Sequence, residues 1–131
     1  MSIAAGEEEC GRHAFRPLID GRCLDVYQVD LSRCGFTDAA YIKSRVEEIG
    51  ARLCNHCYTS PITVAASLHW LSTCAGAFLF EDCVEDSPLR HELTTERVQA
   101  AGGWIEVPSG PGLGMTLNED FVRRYLVAES R

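Results

Sequence analysis

A parallel α/β fold, with strands alternating with helices, is what this 131-residue sequence predicts. Three observations carry the prediction. First, four short apolar runs each end in an ionisable residue: Ile3-Ala4-Ala5-Gly6 before Glu7, Val26-Tyr27-Gln28-Val29 before Asp30, Arg52-Leu53-Cys54-Asn55 before His56, and Ala77-Phe78-Leu79-Phe80 before Glu81. Second, these ends recur at intervals of 23, 26 and 25 residues. Third, the segments between them carry apolar residues at helical spacing. Strands and helices alternating in this way imply βαβ units. A TIM-type (β/α)8 barrel of about 250 residues gives each unit roughly 30, so the chain has room for about half of one.

Each element has a local reason. A short helix is expected over 12–19, although Pro17 interrupts its hydrogen bonding. Thr37-Asp38 offers an N-cap to a helix whose apolar positions are Ala39, Ile42, Val46 and Ile49. Gly50 sits just past that helix, where a C′ glycine belongs. Ser60-Pro61 places proline at a first helical position, and Ile62, Ala65, Ala66, Leu68, Trp70 and Leu71 continue an apolar helix. Residues 90–103 form the most polar connection. Trp104-Ile105-Glu106-Val107 alternates like a short strand, residues 108–114 form a glycine- and proline-rich turn, and Asn118 caps a last helix over 119–125. Trp70 and Trp104 are expected to pack the outside of the barrel.

Composition narrows the function classes. The formal net charge is −7 and the pI about 5.0, with no Lys/Arg cluster, which disfavours a nucleic-acid partner. No stretch approaches the ~20 apolar residues of a membrane helix, and residues 1–9 lack the basic and apolar regions of a secretory signal. A cytoplasmic protein with no membrane partner is expected. The seven cysteines are odd in number and accompany no export signal, so most are expected to be reduced, small, buried hydrophobes.

In a barrel, the C-terminal ends of the strands face the active site. Neighbouring strands would therefore bring Glu7, Asp30, His56 and Glu81 to one mouth. Glu7 is a hard oxygen ligand suited to Mg²⁺. His56 can remove a proton near neutral pH. Asp30 can hold the other ring nitrogen and stabilise the imidazolium. Glu81, if protonated, can donate a hydrogen bond to a developing oxyanion. The set suggests proton abstraction beside a carboxylate through an enediolate, with Mg²⁺ as cofactor. Any one of these carboxylates alone is more often solvated than catalytic; the regular interval is what joins them.

The motifs resemble those of one family. Ala4-Ala5-Gly6-Glu7-Glu8 is similar to the Gly-Glu end of the fifth barrel strand in the enolase superfamily, mandelate racemase/muconate lactonizing branch. Gln28-Val29-Asp30-Leu31-Ser32-Arg33-Cys34-Gly35 resembles its sixth-strand signature, Asn55-His56 its seventh-strand histidine and Phe80-Glu81 its eighth-strand glutamate. The segment from Val107 to Gly114 resembles its closing Pro-x-x-Pro-Gly-Leu-Gly element. The resemblance implies the C-terminal barrel half, with residues 103–131 as closing segment. It implies Glu7 as a Mg²⁺ ligand, an Asp30–His56 dyad with His56 as acid/base, and Glu81 as hydrogen-bond donor to the substrate. It implies a lyase that dehydrates a small sugar-acid carboxylate (aldonate or aldarate), or alternatively a racemase or epimerase of a 2-hydroxy acid. A homo-oligomer is expected for the full-length enzyme.

Two departures from the family pattern bear on this. Phe36 stands where many relatives carry a second glycine. The family's other two metal ligands, its second-strand Lys-x-Lys and its N-terminal capping domain have no counterpart, so residues 1–131 are expected to be a fragment with little activity alone. Rival readings are a Cys/His metal or redox module, from Cys54-Asn55-His56-Cys57, and a non-catalytic remnant.

Overall fold

The β-strand Ala4–Ala5 (β1) opens the chain of βα units in the computed structural model, which describes residues 1–128. Helix Gly11–Asp20 (α1) follows, then strand Val26–Asp30 (β2), helix Leu31–Glu48 (α2), strand Arg52–His56 (β3) and helix Pro61–Leu71 (α3). The three strands form a parallel sheet in the order β1-β2-β3, with Asp30 directly opposite His56. The expected fourth strand over 77–80 is reduced to a single parallel bridge, Leu53 to Ala77. The β3 backbone pairs with this segment only at Gly76 and Phe78 (2.8 Å each). Beyond that point the Asn55 side chain replaces the ladder, as described below.

The helices cover one face of the sheet. Phe15 and Ile19 of α1 are one helical turn apart and both buried. They meet Tyr27 and Val29 of β2, Ala39, Ile42 and Val46 of α2, and Leu53, Trp70 and Leu71 in one core. Fully burying each large side chain contributes about 1.5–3 kcal/mol. Helix α3 is apolar on nearly every side and buries eight of its residues. Trp70 donates its indole N–H to the Ala39 carbonyl (3.2 Å), tying α3 to α2.

Helix ends follow the sequence in three places and depart in one. Ser60 accepts from the Thr63 amide (3.3 Å) with Pro61 at the first helical position. Asn118 accepts from the Phe121 amide (3.3 Å) at the start of a C-terminal helix, Glu119–Tyr125. Gly50, at φ 71°, closes α2 as its amide returns to Glu47 and that of Ala51 to Val46. The departure is Asp38. Helix α2 begins at Leu31, seven residues before the expected cap, and is broken at Gly35 (φ 64°, ψ 169°). Asp38 caps a different helix: it accepts from the Arg12 amide (3.0 Å) and Arg12 Nε (2.7 Å) at the start of α1. The N-cap of α1, Cys10, makes no side-chain cap bond of its own.

Three other expectations need correction. Trp104 is 81% exposed instead of packed. Its strand is only Trp104–Ile105, paired antiparallel with Ala100–Ala101 in a ribbon too short to cover an indole. The expected alternation through Val107 does not extend this ribbon. The polar stretch before it holds a one-turn helix, Pro88–Glu92. All seven cysteines are free, but only Cys54, Cys57 and Cys74 are buried; Cys10, the extended N-cap of α1, and Cys23, in the connection before β2, are exposed. Among the described residues no helix is long and apolar enough to cross a membrane.

Candidate active site

Strand pleat and register assemble the site. Residues 26, 28 and 30 of β2 share one face, and 54 and 56 of β3 share the matching face, opposite the helix-covered side. The pairing of Asp30 with His56 places both side chains at the C-terminal end of the sheet. His56 Nδ1 lies 3.1 Å from Asp30 Oδ2. The other Asp30 oxygen accepts from the Ser32 amide (2.7 Å) and the Ser32 hydroxyl (2.6 Å). Asp30 is 3% exposed and acts as acceptor in every contact, so the His56 proton belongs on Nδ1. That leaves the Nε2 lone pair free to face outward.

Glu81 completes the group. Its Oε1 is 3.9 Å from His56 Nε2, and Gln28 Nε2 donates to its Oε2. Its backbone is held by Asn55: the Asn55 amide donates to the Glu81 carbonyl (2.9 Å), and the Glu81 amide donates to Asn55 Oδ1 (2.8 Å). The fully buried Asn55 thus continues the β3 ladder with its side chain where no strand pairing remains. The Tyr58 ring stands edge-on to His56, centroids 5.1 Å apart.

Glu7 reaches the same rim one strand away. The register of β1 on β2 continues to Gly6 beside Gln28. Gly6 has φ 120°, and a Cβ there would lie 2.8 Å from the Gln28 carbonyl oxygen and 2.9 Å from the Phe15 ring. Only glycine lets the chain pass this point at the end of β1. The Glu9 amide closes the turn onto the Gly6 carbonyl (3.0 Å). One Glu7 oxygen, Oε2, is buried with no hydrogen-bond partner. A buried anionic oxygen without a donor fits a cation ligand. It is one ligand only, since among the described residues no group of three His, Cys, Asp or Glu side chains could hold a metal ion.

The structure therefore brings Asp30, His56 and Glu81 into one cluster and places Glu7 on the same rim. Sequence reading missed Gln28, Ser32 and Asn55. Gln28 was findable, because it lies two residues before Asp30 and shares its face. Asn55 was not, because its role depends on where the chain returns at Glu81. Glu8 and Arg33 form an ion pair at 3.0 Å. Hollows of about 440 and 640 Å³ are lined by residues of 61–100 and 96–115, and neither includes Asp30 or His56.

The Cys54/Cys57 module loses its support. Cys54 lies within β3, whereas Cys57 lies past its end and packs with Val64 and Leu68 of α3. Burial pushes the two thiols up to about 11 and about 12, so both hold their protons at neutral pH. A thiol held protonated is a poor nucleophile for redox exchange.

Comparison with known proteins shows the family and the fold. The chain is 25% identical to the D-galactarolactone cycloisomerase of Agrobacterium fabrum over 95% of its length, covering 35% of that protein. It is 30% identical to the D-galactonate dehydratase of Ralstonia nicotianae over 93% of its length, covering 34% of that protein. The chain thus spans about a third of the length of these relatives. The crystal structure of the 3,6-anhydro-D-galactonate cycloisomerase from Zobellia galactanivorans superposes with TM-score 0.86 at 27% identity, covering 98% of this chain and 36% of that one. The expected parallel α/β barrel segment is the fold the chain adopts. The family model described as enolase C-terminal domain-like matches residues 1–121, and the chain belongs to that family.

Proposed function

We propose that this chain supplies the acid/base half of an active site that removes the proton α to the carboxylate of a sugar acid, most directly for dehydration of an aldonate or aldarate. The observation that carries the reading is the His56 imidazole, held by buried Asp30 at 3.1 Å with its outward nitrogen 3.9 Å from Glu81. His56 Nε2 takes the α-proton, and Asp30 stabilises the imidazolium formed. Glu81 Oε2 accepts from Gln28, so a protonated Glu81 carries its hydrogen on Oε1, on the His56 side. From there it donates to the substrate oxygen that gains charge as the proton leaves.

Glu7 would hold Mg²⁺ through its unpartnered buried oxygen. When bound, the ion would act as a Lewis acid toward the substrate carboxylate. The further ligands and the substrate-enclosing walls would come from polypeptide carrying the first barrel half and a capping domain, with residues 1–131 as the C-terminal half of the barrel. A cytoplasmic, homo-oligomeric enzyme acting on a small carboxylate is part of the same reading. The names of the relatives, a D-galactonate dehydratase and a D-galactarolactone cycloisomerase, support the substrate class.

The test uses D-galactonate and Mg²⁺ in D₂O. With the complementing barrel half of a dehydratase relative added, the chain is expected to exchange and eliminate the α-proton. His56→Asn or Asp30→Asn is expected to slow this about 10²–10⁴-fold. The chain alone is expected to turn over little. Robust turnover by the 131-residue chain alone, or an unchanged rate in His56→Asn, would falsify the proposal. Exchange without elimination would favour the racemase reading, and no exchange in the complemented pair the non-catalytic one.

A further inference from the structure

We propose that Arg33 is a positioning residue for the cation ligand: by pairing with Glu8 it fixes the turn that carries Glu7, and it does so from the same turn of α2 that holds Asp30. The proposal rests on the reading of Glu7 as the Mg²⁺ ligand.

The Glu7 carboxylate is not held by its own bonds. Its buried Oε2 has no hydrogen-bond partner among the described residues, so its position follows from the backbone on either side. Before Glu7 the chain is confined at Gly6, where a Cβ would meet the Gln28 carbonyl at 2.8 Å. After Glu7, two consecutive residues are held by two consecutive residues of α2. Arg33 Nη2 pairs with Glu8 Oε2 at 3.0 Å, and the Cys34 thiol donates to the Glu9 carbonyl at 3.7 Å. Ser32, one residue earlier in α2, donates twice to Asp30. Residues 32–34 therefore hold the dyad carboxylate with one side chain and the Glu7 turn with the other two. Helix α2 breaks at Gly35 directly afterwards, and beyond the break Asp38 accepts from the Arg12 amide at 3.0 Å, which ties down the far end of the same connection.

Of the two ties on the Glu7 turn, the Arg33 pair is the stronger. A thiol is a weak donor, whereas a guanidinium–carboxylate bond is charge-assisted and directional. The pairing also divides the work of two adjacent carboxylates. Glu8, engaged by Arg33, does not stand beside Glu7 as a second free anion competing for the cation. The Glu8 side chain is 73% exposed and that of Arg33 34%, so the pair adds little to global stability. Its effect is local, on the turn, and a melting temperature is the wrong readout for it.

The Glu9 amide closes the turn over Glu7 and Glu8 onto the Gly6 carbonyl, so its hydrogen exchange reports opening of that turn. Arg33→Met combined with Glu8→Gln removes both charges and leaves the net charge unchanged. In the 131-residue chain this neutral double variant is expected to speed exchange of the Glu9 amide about two- to fivefold. The charge-swapped variant, Arg33→Glu with Glu8→Arg, is expected to restore slow exchange. With the complementing barrel half added, the neutral variant is expected to need about two- to fivefold more Mg²⁺ for half-maximal turnover of D-galactonate. High Mg²⁺ recovers that loss, and so does the charge swap. Three results overturn the proposal: unchanged Glu9 exchange in the neutral variant, a charge-swapped variant that behaves like the neutral one, or a rate that falls with no change in the Mg²⁺ requirement. If the unsubstituted complemented enzyme shows no turnover, the proton-transfer reading fails instead, and Glu9 exchange, faster or unchanged in the neutral variant, still upholds or overturns the hold of Arg33 on the turn.

Discussion

Asp30 shows how one residue can be both structural and chemical. A buried carboxylate is costly unless its oxygens are satisfied, and Asp30 takes three donors, two from Ser32 and one from His56. The Ser32 bonds anchor the side chain as the N-cap of α2, and this fixes where the imidazole must stand. The buried cysteines follow an opposite logic. Burial holds Cys54 and Cys74 up at about 11 and Cys57 at about 12, against an ordinary 9.0. The folded state therefore keeps protons that the unfolded chain releases as pH rises past the ordinary value. Stability contributed by these neutral thiols is complete below pH about 8.5 and is lost as pH climbs toward 11–12. Urea midpoints measured from pH 8 upward are expected to fall through that window, and to fall less in Cys57→Ala. A midpoint independent of pH there would contradict the burial argument.

At the scale of elements, two devices hold the site in register. Asn55 takes the place of a strand ladder for Glu81, so Asn55→Ala leaves the part-buried Glu81 amide without its partner and the Glu81 carbonyl with only the weak Cys57 thiol donor at 3.7 Å. A cost of about 1–3 kcal/mol is expected for the unpaired amide, read as a lower urea midpoint. Asn55→Ala is also expected to expose the amide of Glu81 to rapid hydrogen exchange, whereas a general packing defect would not single out that amide. Gly6 works by absence. Gly6→Ala combines a positive φ with a Cβ 2.8 Å from the Gln28 carbonyl. A loss of about 1–3 kcal/mol from the backbone alone is expected, and more if Phe15 must shift. Thermal unfolding of the variant checks this, and an unchanged Tm would show that the β1 turn relaxes freely.

For the whole molecule, the sheet has two outer edges. One is β1, paired only on its β2 side; the other is the 77–81 segment, paired only on its β3 side among the described residues. Phe78 and Leu79 on the second edge are about half exposed. Open edges flanked by apolar side chains template further pairing. The isolated chain is expected to self-associate with rising concentration, read by multi-angle light scattering. A strictly monomeric chain across micromolar to millimolar concentrations would argue that these edges are already satisfied.

The sequence by itself determined the alternation of strands and helices through α3, the strand ends at Asp30 and His56, and the caps at Ser60, Asn118 and Gly50. These rest on local periodicity, backbone preference and spacing, which neighbours along the chain decide. Tertiary structure alone decided that Asp38 caps α1 instead of its own helix, that Asn55 stands in for a strand at Glu81, and that Trp104 stays in solvent. Each depends on what another segment brings within hydrogen-bonding or packing distance. The dyad lies between the two: its members were legible at their strand ends, but its 3.1 Å contact exists because the β2–β3 register sets Asp30 opposite His56.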